Sequence, residues 1–500
     1  MKPNIPLATL VVAAACTAAM AAQPMEIGSR LELLVDDCLI DRLSGVRQVL
    51  HHPVPREVAI EHDAPWEGCA SAYHSVFRDG DRYRMYYRGE DWDEGKGASD
   101  HAVICYAESR DGVHWEKPNL GIVEFRGSKE NNILWARGGP VAFPADIWKS
   151  WDTGALNFSV FKDTNPACKP DEQYKATGGD PFCGLYGFKS ADGIHWSAIQ
   201  AEPIIPPGDF KSQFDAQGTA FWDPARGRYL CYNKAARQGP DGRFYRSHLV
   251  AASDDFRHWS KPQWVKYPGP WEHLYTNQIS PYYRAPHILL GFPKRFVPSR
   301  KALSEVGTPG VSDIVLMTSR DAERFNRWGE AFIRPGPQSE RWSHRNNMTA
   351  WGLVTTPSSL PGAPEELSLY SVEGYGVGQS CRLRRYTLRI DGFVSVQGPM
   401  SGGELVTKPL IFDGNRLVLN FSTSAAGSVQ VEIQNPQEKP IPGFTLADCP
   451  EIFGDSIDRV VSWKGGHDVG RLAGTPVRLR FVLKDADLYS IQFQKGATDQ

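Results

Sequence analysis

No CxxC pair occurs among the nine cysteines, which removes the common zinc-cluster spacings. None of the thirteen histidines falls in an HExxH or similar spacing, so no transition-metal site is supported. Runs of one charge sign are also missing. The 55 Lys+Arg and 58 Asp+Glu leave a formal net charge of −3, which argues against a nucleic-acid partner. Past residue 22 no apolar stretch is long enough to span a bilayer. Helical periodicity is nearly absent, and no low-complexity tract interrupts the chain.

What is present begins with a targeting segment over residues 1–22. Lys2 supplies a positive start, LATLVVAAACTAAM a short apolar stretch, and AMAA small residues for cleavage near Ala22. The mature chain is therefore expected to be soluble and exported, secreted or periplasmic. A lipid anchor on Cys16 is the alternative, although Ala13 matches the usual lipobox poorly. The other eight cysteines stand singly in strand-like contexts and read as buried thiols. One disulfide at most is expected, with Cys168 and Cys183 nearest in sequence. The 15 Trp, 18 Tyr and 23 Phe suit β-rich cores, and their flat faces also stack on sugars.

Four related strings recur: SRDGVHWEKP from Ser109, SADGIHWSAI from Ser190, SDDFRHWSKP from Ser253 and SRDAERFNRW from Ser319. Their starts lie 81, 63 and 66 residues apart. Each follows a β-type run (AVICYAES, GLYGFKS, HLVAASD, DIVLMTS) and is preceded by an aromatic-flanked hairpin such as FRDGDRYRMYY or FWDPARGRYLCY. Units of this length suit four-stranded propeller blades. In this reading the third strand ends at Ser, Asp caps the turn amides, and the ring packs on the neighbouring blade. NNMTAWGLVTT, ELSLYSVEGYG and CRLRRYTLRIDGFVSV supply a degenerate fifth unit. The expected fold is all-β: a five-bladed β-propeller over 61–400, then a C-terminal β-sandwich over 401–500. Residues 23–60 form an N-terminal extension that packs on the propeller or closes its ring.

Five blades followed by a sandwich resemble the glycoside hydrolase clan that includes families 32, 43, 68 and 117. The strings ELLVDD, APWEG, YHSVFRDGDRYRMYYRG, FKDTNP, EHLYTN, RAPHI, GFPKRF and RNNMTAWG resemble a bacterial group similar to family 32. The Asn-Asp-Pro-Asn-Gly start and Glu-Cys acid of true family 32 are absent, so sucrose or fructan cleavage is not carried over. The resemblance implies two carboxyl groups flanking a scissile glycosidic bond, with a third acid orienting the substrate. It implies no cofactor, and at most a single Ca²⁺ in the channel.

Acids near each blade's entry are the candidates. Blade one offers Asp63 and Glu67 beside Trp66, a candidate sugar platform; blade two offers Asp163 in FKDTNP; blade three offers Asp215. Blade four offers Glu272 with His273, Tyr275 and Asn277, and blade five Arg345, Asn346, Asn347 and Glu373. Any single Asp at a strand start also suits a turn or cap. Asp215 and Glu272 are read as the catalytic pair, with Glu272 as acid because its neighbours are aromatic and apolar. Asp163 orients substrate, and Glu67 is the alternative base. Asp79, Asp81 and Asp223 are read as hairpin residues.

Lys294 and Arg295, with Arg284 and His287, form a basic cluster that either pairs with nearby acids or holds an anion. Family 130 phosphorylases, a related propeller group, hold phosphate with such residues. The expected function is hydrolysis of glycosidic bonds in a poly- or oligosaccharide. A glycoside phosphorylase and a non-catalytic carbohydrate-binding propeller are the alternatives. A sialidase fits less well, because its motif reads Ser-x-Asp-x-Gly-x-x-Trp and its propeller has six blades.

Overall fold

Short alternating apolar runs between turns can bury a face only by pairing, and the described residues pair into seven sheets. The computed structural model describes residues 23–93, 98–136, 157–208, 210–303 and 309–496. The targeting segment, Cys16 included, lies outside the described residues.

Five of the sheets are blades. The first contains Ala72–Asp79, Arg82–Asp93 and Ala98–Ser109, with Trp115–Glu116 and Ile133–Trp135 both paired to the third strand. The second runs Ser159–Lys162, Tyr174–Asp180, Gly184–Ser190, Ser197–Ala198, and the third Thr219–Asp223, Arg228–Gln238, Phe244–Ser253, Gln263–Trp264. The fourth is six-stranded, because its two inner strands are each interrupted: His273–Leu274 with Ser280–Tyr282, and Ala285–Gly291 with Lys294–Val297. Val311–Ser319 and Asn326–Ile333 complete it. The fifth consists of Val354–Thr356, Glu366–Glu373 and Arg382–Leu388, and its outer strand is Val54–Glu61 from the other end of the chain. That strand closes the ring.

The recurring string performs the turn expected of it. Ser109 Oγ accepts the backbone N–H groups of Asp111 and Gly112, and Asp111 Oδ1 accepts those of Val113 and His114 at 2.8 and 2.9 Å. Asp192 and Asp255 repeat the pattern, each also meeting the following His Nδ1 at 2.7 Å. The residue after Asp lies at positive φ: 72° at Gly112 and 79° at Gly193, but also 64° at Phe256 and 69° at Ala322. The two non-glycine residues there cost roughly 1–2 kcal/mol each. The carbonyl so exposed accepts a Tyr hydroxyl from the preceding blade: Tyr86 to Gly193 at 3.0 Å and Tyr232 to Ala322 at 2.7 Å. Trp196 packs edge-on against Tyr86 of blade one, and Trp115 against Tyr370 of blade five. The motif therefore joins blades as well as turning the chain.

Partial burial works to raise the Asp111, Asp192 and Asp255 carboxyls, but turn amides and the His partners outweigh it and hold all three well below the ordinary range. A depressed folded value contributes stability above the unfolded value of about 4 and loses it as pH falls further. Calorimetry should therefore show the unfolding temperature dropping below about pH 4. The triple variant D111N/D192N/D255N should show a shallower acid limb; an unchanged one would remove these turns as its cause.

The remaining strands form an eight-stranded sheet and a small parallel pair, Met25–Gly28 with Leu410–Phe412. Two long strands, Arg416–Gln434 and Arg478–Gln494, pair antiparallel with register shifts at Asn420/Phe421 and Thr423/Ser428. Leu417, Leu419, Phe421, Val431, Phe481 and Leu483 are almost fully buried in its core. Such side chains contribute about 1.5–3 kcal/mol each. Three strands before residue 51 belong to this sheet: Glu32–Leu33, Ile40–Ser44 and Arg47–Leu50. Val394–Gly398 joins it too, rather than serving as the outer strand of blade five.

Arg320 ties the N-terminal segment to blade four through Glu32 and Asp36, both at 2.8 Å. Arg284 reaches the buried Asp391 at 3.2 Å, and His287 reaches Glu32 at 3.3 Å. These two members of the expected basic cluster are struts between elements. All eight described cysteines are free, Cys168 and Cys183 among them. No helix among the described residues is long and apolar enough to cross a membrane.

Candidate functional site

The inner strands converge, and their register defines two ends. In blade one Ala72 faces Arg88, and in blade three Thr219 faces Tyr232. Residues just before the first strand and near the end of the second therefore share one end, the channel mouth. The chain enters that mouth through left-handed residues: Tyr73 (φ 60°), Phe214 (63°), Gln278 (46°), Arg345 (71°) and Asn347 (54°). Non-glycine backbone held this way is strained and recurs where side chains must be aimed.

Below the mouth the axis is crossed by two fully buried glutamines. Gln217 Nε2 donates to Tyr73 O at 3.0 Å, and Gln278 Nε2 donates to Gln217 Oε1 at 2.9 Å and Thr349 O at 2.7 Å. Four blades are stitched together here, which gives the mouth a floor.

Above that floor Tyr73 and Tyr275 of opposing blades meet hydroxyl to hydroxyl at 2.7 Å. Burial, then neighbouring charge and phenol, raise both above the ordinary phenol range, so both keep their protons at neutral pH. Asp215 stands beside Tyr275 in an ion pair with Lys234, its side chain 30% exposed against 4% for the lysine. Burial lowers the Lys234 pKa, and Asp215 offsets part of that. On the other side Arg88 pairs with Glu90 at 2.8 Å, donates to Tyr375 OH at 2.9 Å, and lies 4.6 Å from the Tyr73 ring centre. Lys294 Nζ sits 4.6 Å from the Tyr275 ring centre, with Arg246 over the same ring. Arg345 lies over Trp92 and Tyr375. The result is a bowl of three phenols, two carboxylates and five cations.

Of the expected site residues, Asp215, Tyr275, Lys294 and Arg345 line this bowl. His273 lies at its rim, against Tyr245 and Phe296. The others are elsewhere, each for a physical reason. Asp163 follows Lys162, which pairs with the first residue of the second strand, so it sits at the far end of blade two. Its carboxylate is buried against Lys175 and accepts Tyr229 OH at 2.6 Å. Asp79 accepts Tyr174 OH in the same way, which makes Asp163 the equivalent of a hairpin residue. Glu272 is held by Arg327 of the outer strand and by Arg295 at 3.4 Å, beside Tyr267, Pro270 and Leu274. Arg295 itself is forked onto Asp313.

Glu67 is fully buried between Tyr87 OH at 2.5 Å and Lys117 at 2.7 Å. Asp63 is exposed and shares Lys117, and Trp66 donates to Asn132 at 2.7 Å with its ring against Phe125. Asn277 bridges Thr219 and Tyr232 O. Asn346 binds Ser343 and the Tyr375 backbone, and Asn347 binds Arg341 and Ser312 O. Glu373 is buried between Arg384 at 2.8 Å and Arg341 at 3.2 Å. Each of these side chains is engaged by the contacts named, and Asn346 meets the bowl through the Tyr375 backbone.

The sequence reading passed over Tyr73, Arg88, Glu90, Lys234, Arg246 and Tyr375. A signal existed for three of them. RMYYRGED and RYLCYNKAAR are apolar second strands that end in charge, and GFPKRF ends the same way at Lys294. A charged residue inside such a run has to face a shared polar space.

A separate cleft of about 600 Å³ lies between the N-terminal segment and blade four, lined by Asp36, Asp37, Arg320, Asp321 and Arg324. Its Asp36 and Arg320 are already committed to the strut described above. Among the described residues no three His, Cys, Asp or Glu side chains converge as metal ligands would.

No family model matches the chain. Two uncharacterized proteins of Mycobacterium tuberculosis, strains CDC 1551 and H37Rv, are each 42% identical over 72 residues, 14% of this chain and 23% of theirs. The chain thus spans under a quarter of the curated relatives it matches. Similar solved structures include a glycoside hydrolase (13% identity, 67% of this chain and 92% of that one, TM-score 0.45). A thermostable family-43 glycoside hydrolase gives 14% identity, 69% and 96% coverage, and a TM-score of 0.44. A structure from the family of mannoside phosphorylases that contains hydrolases of β-1,2 mannosidic linkages gives 13%, 71%, 96% and 0.40. At these scores the five-bladed assignment rests on the sheet pairing itself.

Proposed function

We propose that the protein is an exported glycoside hydrolase that binds a glycan at the channel mouth and cleaves it with Asp215 and Glu90. The observation that carries this reading is the placement of Asp215, a part-exposed carboxylate beside the Tyr73–Tyr275 hydroxyl pair and over a closed floor. Glycosidic cleavage needs one carboxyl group to protonate the leaving oxygen and another to attack or to activate water. The ion pair with Lys234 suits Asp215 to the second role. Glu90, across the mouth on Arg88, is the other carboxyl of the bowl among the described residues. Tyr73, Tyr275 and Tyr375 offer hydroxyls and ring faces to sugar.

Digestion of a broad glycan panel by the purified chain, with product analysis, tests this. Release of shorter saccharides is the expected outcome. Binding without release across the panel would leave a carbohydrate-binding propeller instead.

A further inference from the structure

Two cations of the mouth already have partners: Lys234 has Asp215, and Arg88 has Glu90. Three do not. Among the described residues no carboxylate lies within ion-pair reach of Lys294, Arg246 or Arg345, although Lys294 is only 1% exposed. Each lies against aromatic rings. Lys294 Nζ lies 4.6 Å from the Tyr275 ring centre; Arg246 lies 5.5 Å from Tyr275 and 5.0 Å from Phe296; Arg345 lies 5.5 Å from Trp92. Their neighbours in sequence behave otherwise, since Arg295 is forked onto Asp313 and Arg284 reaches Asp391. Among the described residues the chain supplies acids to Arg295 and Arg284 and none here.

Burying an ammonium group without a counter-ion is costly, and ring faces return only part of that cost. The three charges also act on one another. Burial, then Arg246 and Arg345, drive the Lys294 pKa well down. Burial and the same three cations hold His344 down to about 3. An anion placed among the three would offset their mutual repulsion, and guanidinium forks match planar or tetrahedral oxyanions.

We infer that the mouth takes an oxyanion, held by Lys294, Arg246 and Arg345, which is either a carboxylate or sulfate carried by the sugar or a free phosphate. This rests on the mouth being the ligand site, but not on Asp215 being catalytic. The two ideas can therefore fail separately.

Calorimetry on the full chain can test it with inorganic phosphate alone, uronic-acid and sulfated oligosaccharides, and their neutral counterparts. Arg246→Gln and Arg345→Gln are the test variants, because Lys294 is too deeply buried to be changed safely. Wild-type protein should bind a charged ligand at least tenfold more tightly than its neutral counterpart, or bind phosphate alone. Each Arg variant should lose at least tenfold of that affinity, and Asp215→Asn should retain it even if it cleaves nothing. Phosphate binding coupled to phosphate-dependent sugar release identifies the free anion as the source; preference for charged oligosaccharides alone identifies a substituent. Neutral and charged ligands binding within twofold of each other, with phosphate binding absent or indifferent to both Arg changes, overturns the inference.

Discussion

Asp215→Asn should lower kcat/KM by about 10³-fold on whichever glycan the protein cleaves, because general acid–base groups contribute roughly 10²–10⁴-fold. The amide keeps the size of the side chain and can still accept from Lys234 through its carbonyl oxygen. It cannot take a proton or attack an anomeric carbon. The site is also tolerant of the change, since Asp215 is part-exposed and burial already lowers the proton affinity of Lys234. Circular dichroism and the urea midpoint should therefore stay near wild type while turnover is lost. Turnover within a few fold of wild type would remove Asp215 from the reaction.

Asp163→Ala should do the reverse. Lys175 is 2% exposed, and Asp163 is its close counter-ion, with Glu172 more distant at 3.6 Å. Removing one partner of a buried pair typically costs about 3–5 kcal/mol. The Tyr229 hydroxyl from blade three loses its acceptor as well, so the contact between two blades weakens. Denaturant unfolding should shift by an amount within that range, lessened by Glu172. Folded protein recovered at low temperature should keep kcat/KM within about twofold, because nothing at the mouth touches Asp163. Normal stability with lost turnover would restore the orienting role that FKDTNP suggested.

The contrast between these two aspartates shows what the sequence could and could not tell. The blade motif was legible because Ser109, Asp111 and Gly112 satisfy one another within four residues. Counting that local unit gave four blades, and the fifth followed from the strand strings NNMTAWGLVTT, ELSLYSVEGYG and CRLRRYTLRIDGFVSV. Asp163 was read as substrate-orienting because its string resembles a substrate-binding one, but it stands at the same strand end as Asp79 in VFRD and Asp223 in AFWD, which were read as hairpins. Aligning the three would have put Asp163 with them.

Glu272 was favoured for its aromatic neighbours, but the guanidinium that claims it comes from Arg327, 55 positions away. Pairings of that range are set by how strands stack, and no short string encodes them. Lys294 and Arg295 show the same limit on a smaller scale. Alternation sends adjacent side chains to opposite faces, so one cation reaches the mouth and the other an outer acid. The sequence showed a cluster where the sheet makes two separate sites.

The strand Val54–Glu61 waits for Arg382–Leu388, Arg47–Leu50 for Val394–Gly398, Ile40–Ser44 for Gly403–Thr407 and Glu32–Leu33 for Arg478–Gln494. During synthesis the earliest part of the chain thus emerges hundreds of residues before anything it can pair with. The ring cannot lock until Arg382–Leu388 has been made, and such distant partners make for slow assembly. Until then Val54–Glu61 and the open edge of the last blade are unpaired strands, free to join a neighbouring molecule. Shortening the gene after residue 400 would leave Glu32–Leu33 and Ile40–Ser44 without partners, so the propeller and the C-terminal sheet are best produced as a single piece.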